Sequence, residues 1–207
     1  MKKILFITMA TFLLIGCGMY YIPFEGKLDG ATKRELRPIS VHSANIAFYL
    51  DKEIAQNIIT KKSDGASCGH APTQIPFGSA LSNSISEALS TAFPNIKIVD
   101  RPERPENFVL LIIYAPQIDI GFEFSALGGC DTPKMDKGRI SLSLRTQIIN
   151  LDNQMVVDET FDYDEKEVDR GAPPLSQTGV LKKGLSKIII YYVKDLNYLL
   201  SKVKLGG

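Results

Sequence analysis

The chain has 207 residues, 24 basic and 23 acidic side chains, a formal net charge of +1, 44% hydrophobic residues and no tryptophan. That length suits one domain with a sizeable core. The balanced charge, without any basic run, excludes a surface built for nucleic acid.

Lys2 and Lys3 precede an uncharged apolar run, Ile4 to Ile15, which ends at Gly16 and Cys17. A basic start, a short apolar stretch and a small-residue boundary make a secretory signal peptide, here residues 1–16. The competing reading is an uncleaved anchor, because Ile4 to Ile22 carries no charge and a spanning helix needs about 20 residues. Gly16, Gly18 and Pro23 interrupt such a helix. On either reading Lys2 and Lys3 hold the N-terminus inside and the globular part is exported.

Leu14-Ile15-Gly16-Cys17 resembles the lipobox of bacterial lipoproteins, in which cysteine becomes the first mature residue. The resemblance implies that Cys17 is diacylated through sulfur and acylated on its new amino group, which makes the membrane a partner. Each buried methylene contributes about 0.8 kcal/mol and stable anchoring takes more than one chain, so three suffice. Gly18 follows the cysteine. By likeness to enterobacterial sorting, where Asp there retains a lipoprotein on the inner membrane, this implies the periplasmic face of the outer membrane. Without its two signal lysines the mature chain has 22 basic residues against 23 acidic ones.

Residues 17–37 read as a lipidated tether, broken by Pro23, Gly26 and Gly30 and solvated by Lys33, Arg34, Glu35 and Arg37. Tyr20, Tyr21 and Phe24 stand close enough to the lipid to rest at the interface that aromatic residues prefer. Residues 38–207 form a single periplasmic α+β domain.

Ile39 to Leu50 reads as a first strand region, densest in apolar and aromatic side chains over Ile46 to Leu50, and Asp51 to Thr60 fits a short helix or a strand. Lys61 to Ile75 is a long loop holding Cys68. Leu81, Ile85, Leu89 and Phe93 predict an amphipathic helix over 78–93, stopped by Pro94. Ile96 to Val99 is a short strand. Phe108 to Tyr114 is the apolar run of a central strand, and Gln117 to Phe124 alternates as a separate one. Arg139 to Leu151 alternates more clearly, and Asp152-Asn153 turns it into a strand over 154–163. Leu175 to Val203 is a long helix with an apolar stripe from Leu181 through Tyr192 to Val203. The order predicts an antiparallel sheet of about four to five strands with two helices packed on one face.

With Cys17 committed to lipid, Cys68 and Cys130 remain, and two thiols in an oxidising compartment most simply make one disulfide. Closing a loop of about 60 residues stabilises by roughly 4 kcal/mol in the chain-entropy model. The alternative is a metal held by Cys68, His70, Cys130 and Asp131, whose spacing lacks the paired ligands of a zinc site. A catalytic Cys68–His70 pair needs a free thiolate, and His42 reads as structural. No nucleophile elbow, phosphate loop or dinucleotide fingerprint is present, and no cofactor is expected. Asp119 and Glu123 share one strand face, as paired carboxylates or as a solvated surface. Asp158, Glu159, Asp162, Asp164 and Glu165 head the densest acidic run, which continues through Glu167 to Asp169. That run suits a basic partner surface, calcium or simple solvation.

The lipobox and the strand–helix–strands–helix order together resemble two families of periplasmic lipoproteins. The auxiliary lipoproteins of ABC-type lipid transporters share an early strand with a segment like Tyr49-Leu50-Asp51, and the lipopolysaccharide-assembly lipoproteins open as Gly16-Cys17-Gly18 does. The leading reading is a non-enzymatic accessory or structural component of a cell-envelope complex for transport, secretion or motility, with protein partners. A lipid carrier or assembly chaperone is the alternative and calls for an elongated apolar pocket. An enzyme calls for convergent polar groups in a cleft.

Overall fold

The computed structural model describes residues 20–37, 45–61, 73–93, 95–125, 134–168 and 175–204. Two sheets and four helices lie within them. A small sheet joins β1 (Tyr20–Tyr21), β4 (Thr73–Ile75) and β3 (Ile59–Lys61), in that order across the sheet. The main sheet has the order β5-β2-β6-β7-β8, from β2 (Ile46–Leu50), β5 (Ile96–Ile98), β6 (Val109–Ser125), β7 (Lys134–Ile149) and β8 (Met155–Glu167). The helices are α1 (Gly30–Leu36), α2 (Lys52–Ala55), α3 (Phe77–Ala92) and α4 (Leu175–Lys202).

The main sheet is mixed, where an antiparallel one was expected. β2 pairs in parallel with both β5 and β6, and only the β6-β7-β8 pairs are antiparallel. α3 carries the chain back along the sheet, so β5 re-enters in the direction of β2, as a helical crossover requires. Two of the four helices are short, and each begins where an aspartate accepts a backbone N–H. Asp29 caps α1 through the Thr32 N–H at 2.8 Å, and Asp51 caps α2 through the Glu53 N–H at 3.0 Å. Such caps satisfy donors that a helix start leaves open.

α3 and α4 do lie on one face of the sheet. Leu81, Ile85 and Leu89 from α3 and Leu181, Leu185, Ile188, Tyr192 and Leu196 from α4 join Ile46, Phe48, Leu111, Ile113, Ile140, Leu142, Leu144 and Ile148 in one core. On the polar side of α3 the Ser82, Ser86 and Ser90 hydroxyls donate to carbonyls four residues back, which keeps them from competing for other backbone groups. This core layer holds a hydroxyl pair, Thr146 Oγ1 and Tyr192 Oη, 2.9 Å apart.

The tether expected over residues 17–37 is replaced, from Ile22 onward, by packed chain. Ile22 and Leu36 are 0% exposed, and Phe24 and Leu28 are buried with them. Phe24 stacks on Phe77 at 6.2 Å, which also removes it from the aromatic trio expected at the lipid. The Leu28 N–H donates to Glu87 Oε2 at 2.8 Å, Lys33 pairs with Glu87, and Lys194 reaches Glu35 at 3.1 Å. Gly26 has φ +69°, and a Cβ there would stand 1.9 Å from the Ala80 carbonyl oxygen. Only glycine allows this conformation and this approach together.

β6 runs through Pro116 as one strand, where two were expected. The register with β7 shifts between Tyr114 and Gln117, and a bulge is where a residue without an N–H is tolerated in a sheet. The β7–β8 turn spans Asn150 to Gln154, with Asn153 at φ 61° and the Asn150 side chain accepting the Gln154 N–H at 2.9 Å. Asparagine is among the few residues that adopt that conformation readily.

Candidate functional site

The sheet face opposite the helices is open to solvent along β7 and β8, and strand alternation divides it into two zones. Near the parallel strands Ala47, Leu110 and Ile112 form a second apolar cluster, with the partly buried Tyr49, Val99, Phe108, Tyr114 and Ile149 around it. Lys97 Nζ lies 5.9 Å from the Phe108 ring centroid. A buried apolar group rimmed by partly buried aromatics has the composition of the core of a docking patch.

Further along, β7 and β8 build a polar ladder on the same face. Arg145 grips Asp158 through two bonds of 2.7 Å, and Gln147 Nε2 donates to the same carboxylate at 3.0 Å. Arg139 holds Asp164 at 2.6 and 3.2 Å, with the Ser141 hydroxyl donating to it at 3.0 Å, and Ser143 donates to Asp162. In the pairing register Gln147, Ser143 and Ser141 stand directly opposite these three aspartates, while both arginines reach across a diagonal. The bond from Arg145 and then that from Gln147 pull the Asp158 carboxyl down to about 2. Arg139 likewise lowers that of Asp164.

The acidic run is thus not one surface. Alternation along β8 puts Asp158, Asp162 and Asp164 on the open face, and Glu159, Glu165 and Glu167 on the helix side. There Glu165 and Glu167 converge on Lys187 of α4. Tyr163, on that side as well, donates to Asp195 at 2.7 Å, and burial followed by that carboxylate raises its phenol. In these places the acidic strand is paired with Arg145, Arg139 and Lys187, while Asp162 accepts the neutral Ser143 hydroxyl and keeps its charge uncompensated by it. The signal that could have disclosed it is the spacing of Arg139 and Arg145 on the preceding strand, one hairpin turn away.

An open cleft of ≈ 540 Å³ adjoins the open face at the β6 bulge, lined by Asp51, Glu53, Asn57, Tyr114, Pro116 and Arg145 among others. Its arginine is already engaged by Asp158, and no nucleophile–base pair lines it. Between the N-terminal segment and the two long helices, Phe24, Leu28, Ser84 and Leu185 enclose a seam with no room for a water molecule. Between the sheet and the two long helices the described apolar side chains form one buried cluster.

Cys17, Cys68 and Cys130, together with His42, His70 and Asp131, lie outside the described residues. No group of three potential metal ligands occurs among the described residues. Asp119 and Glu123 are exposed on β6. No described helix is long and apolar enough to cross a membrane.

No protein-family model and no curated protein matches the sequence. Solved structures of similar outline exist at low identity. A crystal structure of a Xanthomonas campestris protein has a TM-score of 0.48 and 14% identity, covering 89% of this chain and 97% of that one. The solution structure of an uncharacterized lipoprotein B from Nitrosomonas europaea has a TM-score of 0.42 and 11% identity, with coverage of 85% and 92%. The rare lipoprotein B from Shewanella oneidensis has a TM-score of 0.39 and 10% identity, with coverage of 75% and 92%. Each TM-score is below one half.

Proposed function

We propose that this is a lipid-anchored, non-enzymatic component of a bacterial cell-envelope assembly, held by acyl chains on Cys17 and contacting a protein partner through the open sheet face. The observation that carries the reading is the position of the lipobox relative to the folded body. The body begins with β1 at Tyr20, and Ile22 is already wholly buried. A signal cleaved before Cys17 therefore leaves a mature chain that starts five residues before a wholly buried core position. The periplasmic face of the outer membrane is the location that Gly18 favours. A disulfide between Cys68 and Cys130 belongs to the same reading, since both thiols enter an oxidising compartment.

The partner surface is assigned to the open face because its apolar cluster, Ala47, Leu110 and Ile112, is ringed by Tyr49, Phe108 and Tyr114. Aromatic anchors around a desolvated centre carry most of the affinity in protein interfaces. Cross-linking in intact envelopes, followed by purification of the acylated full-length protein, tests this. The expected result is a stoichiometric partner recovered with the parent and lost from Tyr49→Asp and Tyr114→Asp, both still folded and membrane-bound. Equal recovery with parent and variants, or no partner at all, contradicts it.

A further inference from the structure

We infer that the outward face of the small sheet, with Tyr21 and Ile58, rests on the lipid surface, so that the body sits against the membrane beside its anchor instead of hanging from a leash. This rests on the acylation of Cys17 proposed above and adds the face that meets the bilayer.

The first support is covalent reach. Cys17 is four residues before Tyr21, and an extended chain covers at most about 3.6 Å per residue. The Tyr21 backbone therefore stays within about 14 Å of the acylated cysteine. The chain has no slack further on, because Ile22 is wholly buried and its N–H donates to the Gln74 carbonyl at 3.0 Å. An anchor placed there holds the small sheet at the headgroups, whatever the rest of the body does.

The second support is the character of that face. Pairing sets Tyr21 opposite Gln74, and Gln74 opposite Thr60. Alternation turns Ile75 and Ile59 inward with Ile22, so that row points outward. Tyr21 on this row and Ile58, immediately before β3, are each 57% exposed. The outward row of Tyr21, Gln74 and Thr60 carries no charge, and its tyrosine is a residue type that concentrates at membrane–water boundaries. Met155 is comparably exposed at 55%, but belongs to the other end of the molecule. It pairs with Ile149, which pairs with Leu110, in the row of Ala47. That row adjoins the C-terminal end of α3, through the Ile46 N–H bonded to the Asn95 carbonyl. The small sheet adjoins the N-terminal end of α3 through Pro76, and the 16 residues between span about 24 Å.

The absence of tryptophan allows a direct test. Tyr21→Trp, Ile58→Trp and Met155→Trp, each in the acylated full-length protein, are reconstituted into phosphatidylcholine–phosphatidylglycerol vesicles whose acyl chains carry bromine close to the headgroup. The expected result is that Tyr21→Trp and Ile58→Trp lose most of their emission while Met155→Trp keeps its own. Cosedimentation with the vesicles but no quenching at any position overturns the docking and leaves the anchor standing. Equal quenching at all three positions also overturns it, because no defined face is then presented. Failure to cosediment removes the anchor and the docking together.

Discussion

The hydroxyls of Tyr192 and Thr146 meet at 2.9 Å in the layer between α4 and the sheet, with neither side chain exposed to solvent. Thr146 stands on β7 where Ile140, Leu142, Leu144 and Ile148 occupy the other inward positions, so its polar atom enters an apolar core. Burial raises the Tyr192 phenol well above its ordinary value, with the Thr146 bond acting in the opposite sense.

The cost of breaking this pair is asymmetric. Tyr192→Phe leaves the Thr146 hydroxyl buried without its partner and should lower stability by about 1–3 kcal/mol, as a stranded polar group does. Thr146→Val should do the same to the tyrosine. The double variant removes both polar atoms and should be less destabilised than the sum of the two. Urea unfolding of all four proteins gives the coupling directly.

Packing of the N-terminal segment makes its own prediction. Leu36→Ala should cost about 2–5 kcal/mol, the range for a buried leucine truncated in a core. A solvated tether would change by no more than about 0.5 kcal/mol. Gly26→Ala adds left-handed strain of about 1–2 kcal/mol to a collision with the Ala80 backbone. It should therefore detach the segment, seen as faster protease cleavage between Ile22 and α1.

The polar ladder has a pH signature. The Asp158 carboxyl titrates at about 2 when folded, against an ordinary value of 3.8. A depressed folded value means that the ladder's stabilisation is complete above 3.8 and is lost as pH falls through about 2. Carboxyl carbon NMR should show Asp158 returning towards 3.8 in Arg145→Gln, while a parent titrating at 3.8 contradicts the geometry. Salt should weaken the effect, since the pair is at the surface.

Much of this architecture was readable from pattern. Leu81, Ile85 and Leu89 announced α3, and the stripe from Leu181 to Val203 announced α4, because a helix with one buried face repeats its apolar residues locally. The alternation of Ile140, Leu142 and Leu144 disclosed β7 for the same reason. Strand direction was not readable, since a period of two is the same in parallel and antiparallel strands. Ile22, Phe24 and Leu28 do alternate with exposed Pro23, Glu25 and Lys27, but the proline and glycines among them read as a tether. Their burial comes from contacts such as Phe24 on Phe77, far away in sequence. Asp29 and Asp51 were visible as residues, but a cap signals a helix only when helical pattern follows, and α1 and α2 are too short to show one. The two-sidedness of the acidic run was not readable, because composition ignores facing. Asp158 and Glu159 are neighbours in sequence and lie on opposite sides of β8.

Anchoring at the membrane turns on the chemistry of one sulfur atom, that of Cys17. Cells expressing the parent and Cys17→Ser are grown with radiolabelled palmitate, and the purified proteins are compared for label and for N-terminal sequence. Label on the parent that is absent from Cys17→Ser, with no residue of 1–16 retained by the parent, is the predicted result. An unlabelled parent, equal label on both proteins, or an intact Met1 on the purified parent would contradict it.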